Sequence, residues 1–68
     1  MSIQSVIFKK EKWSIPKAMK WLLNHGLSAF KVDVTENYLR FRQFDPKTRD
    51  RYYTKNLKSG IKLIVKYS

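Results

Sequence analysis

Residues 30–44 read FKVDVTENYLRFRQF, and this stretch decides the fold. Phe30, Val32 and Val34 alternate with Lys31 and Asp33, the period of a strand with one buried face. Tyr38–Phe44 alternates again: Leu39, Phe41 and Gln43 point one way, and Tyr38, Arg40, Arg42 and Phe44 the other. Thr35-Glu36-Asn37 between them is a turn, because Asn tolerates positive φ. Two such runs around a short turn make an antiparallel hairpin.

Working upstream, Ile15, Ala18, Met19 and Leu22 recur at i, i+3, i+4 and i+7, one face of a helix. Ser14 is its N-cap and Pro16 sits in the first turn, where a missing N–H costs nothing. Lys17 stands where a capping box needs Glu, so no such box forms. His25-Gly26 ends the helix, with Gly in the left-handed position. Lys17, Lys20 and Asn24 fall on the opposite face. Before the helix, Ser2–Phe8 is rich in β-branched and aromatic residues and reads as a strand.

Downstream, Asp45-Pro46-Lys47 is a turn, Arg51–Lys55 a weak strand, Lys58-Ser59-Gly60 a second turn and Ile61–Tyr67 a last strand. In that strand Ile61, Leu63, Val65 and Tyr67 alternate with Lys62, Ile64 and Lys66. The order β-α-β-β-β-β specifies an α+β two-layer sandwich, one helix on a mostly antiparallel sheet. Its 68 residues allow one small domain, 1–68. A chain this short buries only about 60% of its unfolded surface. With no Cys it has no disulfide to help, so good packing or oligomerisation must.

A helix on one side leaves the other side of the sheet open. With Leu39 and Phe41 inward, Tyr38, Arg40, Arg42 and Phe44 face out; with Ile61, Leu63 and Val65 inward, Lys62 and Lys66 face out beside Ile64. Arg51, Tyr53 and Lys55 share one face of their segment and are expected to join them. The chain carries 15 Lys and Arg against 5 Asp and Glu, net +10, and all four Arg lie after Asn37. Two readings follow. In the first, Arg40, Arg42, Arg49, Arg51, Lys55, Lys62 and Lys66 neutralise phosphates of DNA without sequence preference, and aromatic rings stack on bases. In the second, Tyr38, Phe44, Tyr53 and Ile64 centre a protein interface, with a second copy or another chain, and the arginines are its rim. Cross-strand aromatic–Arg pairs and cationic edges that resist aggregation would also produce this pattern.

No catalytic constellation is legible. His25 is the lone histidine, the carboxylates Glu11, Asp33, Glu36, Asp45 and Asp50 are scattered, and two glycines cannot build a phosphate loop. A metal would need several N or S ligands. We therefore expect no enzyme, no cofactor and no metal. Asp33 and Glu36 are assigned to balancing nearby Lys and Arg, and Trp13 and Trp21 to packing. No apolar run approaches the ~20 residues of a membrane span, and Met1–Phe8 lacks a signal-peptide pattern. A helix already used by the sheet is poorly placed to bind a membrane surface, so no membrane partner is expected.

Several stretches carry a resemblance. They are Ile3–Phe8, Trp13–Gly26 with Trp21-Leu22 and His25-Gly26, Glu36-Asn37-Tyr38-Leu39-Arg40-Phe41-Arg42-Gln43, Tyr53-Thr54-Lys55 and Gly60–Val65. In this order they resemble a short domain of bacteriophages, carried near head-morphogenesis or prohead-protease proteins, and of giant DNA viruses such as marseilleviruses. The resemblance implies a viral, virion- or assembly-associated protein, present in the host cytoplasm or nucleus during infection, and transfers no catalytic residue. DNA, a second copy of the chain, or a viral or host protein are the expected partners.

Overall fold

The computed structural model describes residues 2–45 and 49–67. Its elements are β1 (Ser2–Lys9), α1 (Ile15–Asn24), β2 (Lys31–Val34), β3 (Tyr38–Arg42), β4 (Tyr52–Leu57), a 3-10 turn at Lys58–Gly60, and β5 (Ile61–Lys66). The strands form one sheet in the order β2-β3-β1-β5-β4, and every neighbouring pair is antiparallel. The α+β architecture expected from the alternation is the one observed. The weak strand expected at Arg51–Lys55 forms at Tyr52–Leu57, starting one residue later and ending two later. The turn read at Asp45-Pro46-Lys47 lies mostly outside the described residues.

The first strand in sequence becomes the central one. β1 lies at the middle of the sheet, paired on one side with β3 and on the other with β5. Its Val6 and Phe8 face α1 and are fully buried, as is Phe41 of β3; Leu39 of β3 and Ile61, Leu63 and Val65 of β5 are buried beside them. Fully burying such a side chain stabilises the fold by about 1.5–3 kcal/mol. Phe8 is the aromatic hub. Ring centroids of Trp13, Trp21 and Phe41 lie 4.9, 5.6 and 5.6 Å from it, in the tilted and edge-on geometries that aromatic pairs prefer. Both tryptophans thus pack, as assigned, and Trp13 Nε1 also donates to the Ser59 carbonyl at 2.7 Å.

Helix α1 is capped at both ends as its sequence dictates. Ser14 Oγ accepts from the Lys17 amide at 3.3 Å. At the other end Gly26 adopts φ +69°, the Leu27 amide donates to Leu22 O at 2.8 Å and the Gly26 amide to Leu23 O at 3.1 Å. This pair of bonds is the Schellman motif. The buried face differs from the expected one. Ala18 and Leu22 are buried, but Ile15 and Met19 are exposed, and Trp21 packs against the core in their place. Large indole rings fill more of the space over Phe8 than Ile15 and Met19 can, so the helix is rolled toward its Trp21 flank.

Gly60 closes the last hairpin with φ +76°, and a Cβ there would stand 3.1 Å from Lys9 Cβ. Left-handed backbone costs a residue with a Cβ about 1–2 kcal/mol, and the tight contact adds to it. Gly60→Ala is expected to lower the thermal midpoint by roughly 4–8 °C per kcal/mol, measured by circular dichroism; an unchanged midpoint would mean the turn rearranges freely.

Candidate functional site

The strand registers define what the helix-free face carries, because residues directly opposite in a ladder share a face. One row runs across the sheet through Asp33, Arg40, Ile7, Lys62 and Asn56. The next runs through Lys31, Arg42, Ser5, Ile64 and Thr54. Lys66 lies opposite Tyr52, and Tyr38 opposite Lys9. Arg40, Arg42, Lys62, Lys66, Tyr38 and Ile64 are therefore brought together on one face, as alternation required.

Tyr53 and Lys55 are not. Tyr53 is opposite Val65 and Lys55 opposite Leu63, both core residues, so they lie on the helix side of β4. The expectation that they join the open face is corrected. A segment's own alternation says which residues share a face but not which face that is, and only pairing to β5 decides it. Tyr53 packs against the core and meets the Tyr67 ring at 4.6 Å between centroids. Tyr52 holds the open-face position instead. Arg49 and Arg51 are exposed in the segment leading into β4, outside the two rows, and Phe44 is half-buried beyond the end of β3.

The cations of the open face are not equivalent. Arg42 lies 3.0 Å from Asp33 and 3.6 Å from Asp45; Lys31 is 3.6 Å from Asp45; Lys66 is 3.3 Å from Asp50, which also accepts from the Tyr52 hydroxyl at 3.3 Å. Asp33 thus balances a basic neighbour, as assigned. Lys9 is paired with Glu11 at 2.8 Å. That hydrogen bond, and then the attraction of the two charges, raises Lys9 above the ordinary lysine range and lowers Glu11 below the carboxylate range. Both are exposed, so the pair adds little to stability. Arg40 and Lys62 have no carboxylate partner among the described residues.

These two unpaired cations flank Ile7 from either side. They stand on strands two apart, so about 9–10 Å separates their backbones. Tyr38 borders the same spot, and Lys62 Nζ lies 5.3 Å from the centre of its ring. Ile7, Thr35, Tyr38, Arg40 and Lys62 line an open hollow of about 210 Å³. A larger hollow, about 400 Å³, is lined by Lys9, Lys10, Glu11, Glu36, Asn37 and Tyr38. Its two acids balance its two lysines, so the smaller hollow is the better anion site.

Arg40 is held in place by neutral groups. A bulge between Ile3 and Ser5 puts Gln4 out of step, and Gln4 and Ser5 are both buried and hydrogen-bonded to each other. Arg40 Nε reaches Ser5 Oγ at 3.4 Å and Nη2 reaches Gln4 Oε1 at 3.5 Å. Gln4 Nε2 in turn donates to the Phe44 carbonyl at 2.7 Å. The support orients the guanidinium without cancelling its charge. Sequence reading missed Gln4, Ser5 and Ile7; the available signal was a Gln-Ser pair inside an otherwise apolar strand.

Among the described residues no group of three His, Cys, Asp or Glu side chains could hold a metal ion, and no helix is long and apolar enough to cross a membrane. No family model, no curated protein and no solved structure matches this chain.

Proposed function

We propose that this chain is a small nucleic-acid-binding protein that grips the phosphate backbone through the helix-free face of its sheet. The observation that carries the reading is the pair Arg40 and Lys62, unneutralised cations flanking Ile7 beside Tyr38, on a chain of net charge +10. Guanidinium groups fork onto phosphate oxygens, and phosphate neutralisation releases counterions. Arg42 and Lys66 supply background charge, already shared with Asp33, Asp45 and Asp50. Contacts of this face to phosphates position the polymer without touching base edges, so base sequence is not read. The resemblance to small viral domains makes viral DNA the polymer to test first.

The experiment is fluorescence anisotropy of labelled duplex and single-stranded DNA across a salt series. Binding should persist near physiological salt and weaken with a log–log slope of about −0.9 per phosphate contacted on duplex and about −0.7 on single strands. Scrambling the base sequence should leave the affinity unchanged. Binding that disappears well below physiological salt would sink the proposal, since any basic protein does that.

A further inference from the structure

We infer that β2 is a self-complementary edge strand through which two copies of this chain join their sheets. β2 sits at the end of the sheet, and among the described residues nothing pairs with its outer side. Its hydrogen-bond phase follows from the hairpin. The Thr35 amide donates to the Tyr38 carbonyl at 2.9 Å, so Thr35, Asp33 and Lys31 direct their backbone groups toward β3. The N–H and C=O of Val32 and Val34 then point outward, away from β3.

Residues 30–34 read apolar, positive, apolar, negative, apolar: Phe30, Lys31, Val32, Asp33, Val34. Side-chain alternation puts Val32 and Val34 on the helix side, opposite Phe41 and Leu39, yet both remain exposed, Val34 at 54%. Phe30 is 94% exposed, and its amide reaches only Ser28 Oγ, at 3.4 Å. Two copies related by a two-fold axis through Val32 pair antiparallel. Val32 meets the second copy's Val32 as a hydrogen-bonded pair, and Phe30 meets its Val34, twice. Lys31 meets its Asp33, twice, as non-hydrogen-bonded pairs, where side chains approach most closely. Shifting the axis to Asp33 keeps the hydrogen-bond phase but sets Asp33 against Asp33, and an axis on Lys31 sets Lys31 against Lys31. Like charges directly opposite are destabilising, so among the registers that pair the strand along its length charge selects the one centred on Val32.

The other edge of the sheet lacks this property. β4 carries Lys55 on its helix side, between Tyr53 and Leu57, and an inward-pointing charge on an edge strand resists pairing. β2 has only Val32 and Val34 there. The two-fold axis lies perpendicular to the sheet, so both helix-free faces turn the same way and the Arg40–Lys62 rows of two copies form one surface. Existing contacts do not block the pairing. Lys31 and Asp33 are bound to Asp45 and Arg42 by ion pairs in which the Lys31, Asp45 and Asp33 side chains stay open to solvent and can be shared with a partner. The strand is short, so the association is weak, and the +10 charge of each copy opposes it until salt screens the repulsion.

Sedimentation equilibrium of the full chain at moderate salt, over a wide concentration range, tests the proposal. The native chain should show a concentration-dependent dimer. Asp33→Lys alone and Lys31→Asp alone each place like charges opposite one another and should be monomers with native circular dichroism. Mixed in equal amounts, they restore both opposite-charge pairs and should form a heterodimer. As a measurement independent of charge, Val32→Cys should oxidise to a disulfide-linked dimer. The Cα atoms of a hydrogen-bonded antiparallel pair lie about 5.5 Å apart, within the span of a disulfide; the chain has no other cysteine to compete. A monomeric native chain at all concentrations would overturn the proposal. So would single variants that still dimerise, a mixture that stays monomeric, or a Val32→Cys chain that does not cross-link.

Discussion

Replacing Arg40 and Lys62 together by Ala will weaken DNA binding by about a hundredfold at low salt, taking each lost charged hydrogen bond as worth roughly 1.5 kcal/mol. The salt slope should flatten by about 1.8 on duplex, two phosphate contacts at about 0.9 each. The control is Lys17→Ala with Lys20→Ala, which removes the same formal charge from the exposed side of α1. If the open face is the binding surface, the control lowers affinity only through the long-range field and leaves the slope nearly intact. Equal losses in the two double variants would mean that overall charge, and not this face, attracts DNA. Arg42 is a poor partner for the test. Removing it strips the counter-charge from Asp33 and Asp45 and repels phosphate for a different reason.

Phe8→Ala will remove a large share of the chain's stability. Phe8 is fully buried and is the one ring that touches Trp13, Trp21 and Phe41. Truncating a buried Phe costs about 3–5 kcal/mol through lost burial and the cavity left behind. At roughly 0.05–0.15 kcal/mol per residue, a chain of this length has only about 3–10 kcal/mol to lose. The thermal midpoint should fall by at least about 12 °C, and the near-ultraviolet signal of the two tryptophans should collapse. Phe8→Leu, which keeps most of the volume, should retain a cooperative transition. A Phe8→Ala chain that melts like the native one would show that the helix can settle onto the sheet without its hub.

The two proposals reinforce each other without depending on each other. One surface is the helix-free face and the other is the β2 edge. A dimer would double the number of phosphates within reach and add avidity, so DNA binding should fall off more steeply on dilution than a monomer would show. A monomer that binds DNA, or a dimer that does not, separates the two.

Local sequence determined the elements. Alternation in residues 30–44 specified the β2–β3 hairpin, Ser14 and Gly26 specified the ends of α1, and the odd and even positions of β3 and β5 specified which side chains travel together. Each of these rests on interactions within a few residues, so a linear reading reaches them. The order of the strands, the burial of β1 at the centre, and the side of the sheet on which a strand's odd residues fall depend on pairing between distant segments. That is why Tyr53 and Lys55, which share a face with Arg51, ended on the helix side: their partner β5, not their own pattern, places them. The charge pattern was legible as an excess of Lys and Arg. Which cations stay unpaired was not, because Asp33 and Asp50 reach Arg42 and Lys66 across the sheet only after the chain has folded. Among the described residues, tertiary structure left Arg40 and Lys62 unneutralised beside Ile7 and β2 without a neighbour on its outer side, because strand order and ion pairing are set between segments that the linear sequence keeps far apart.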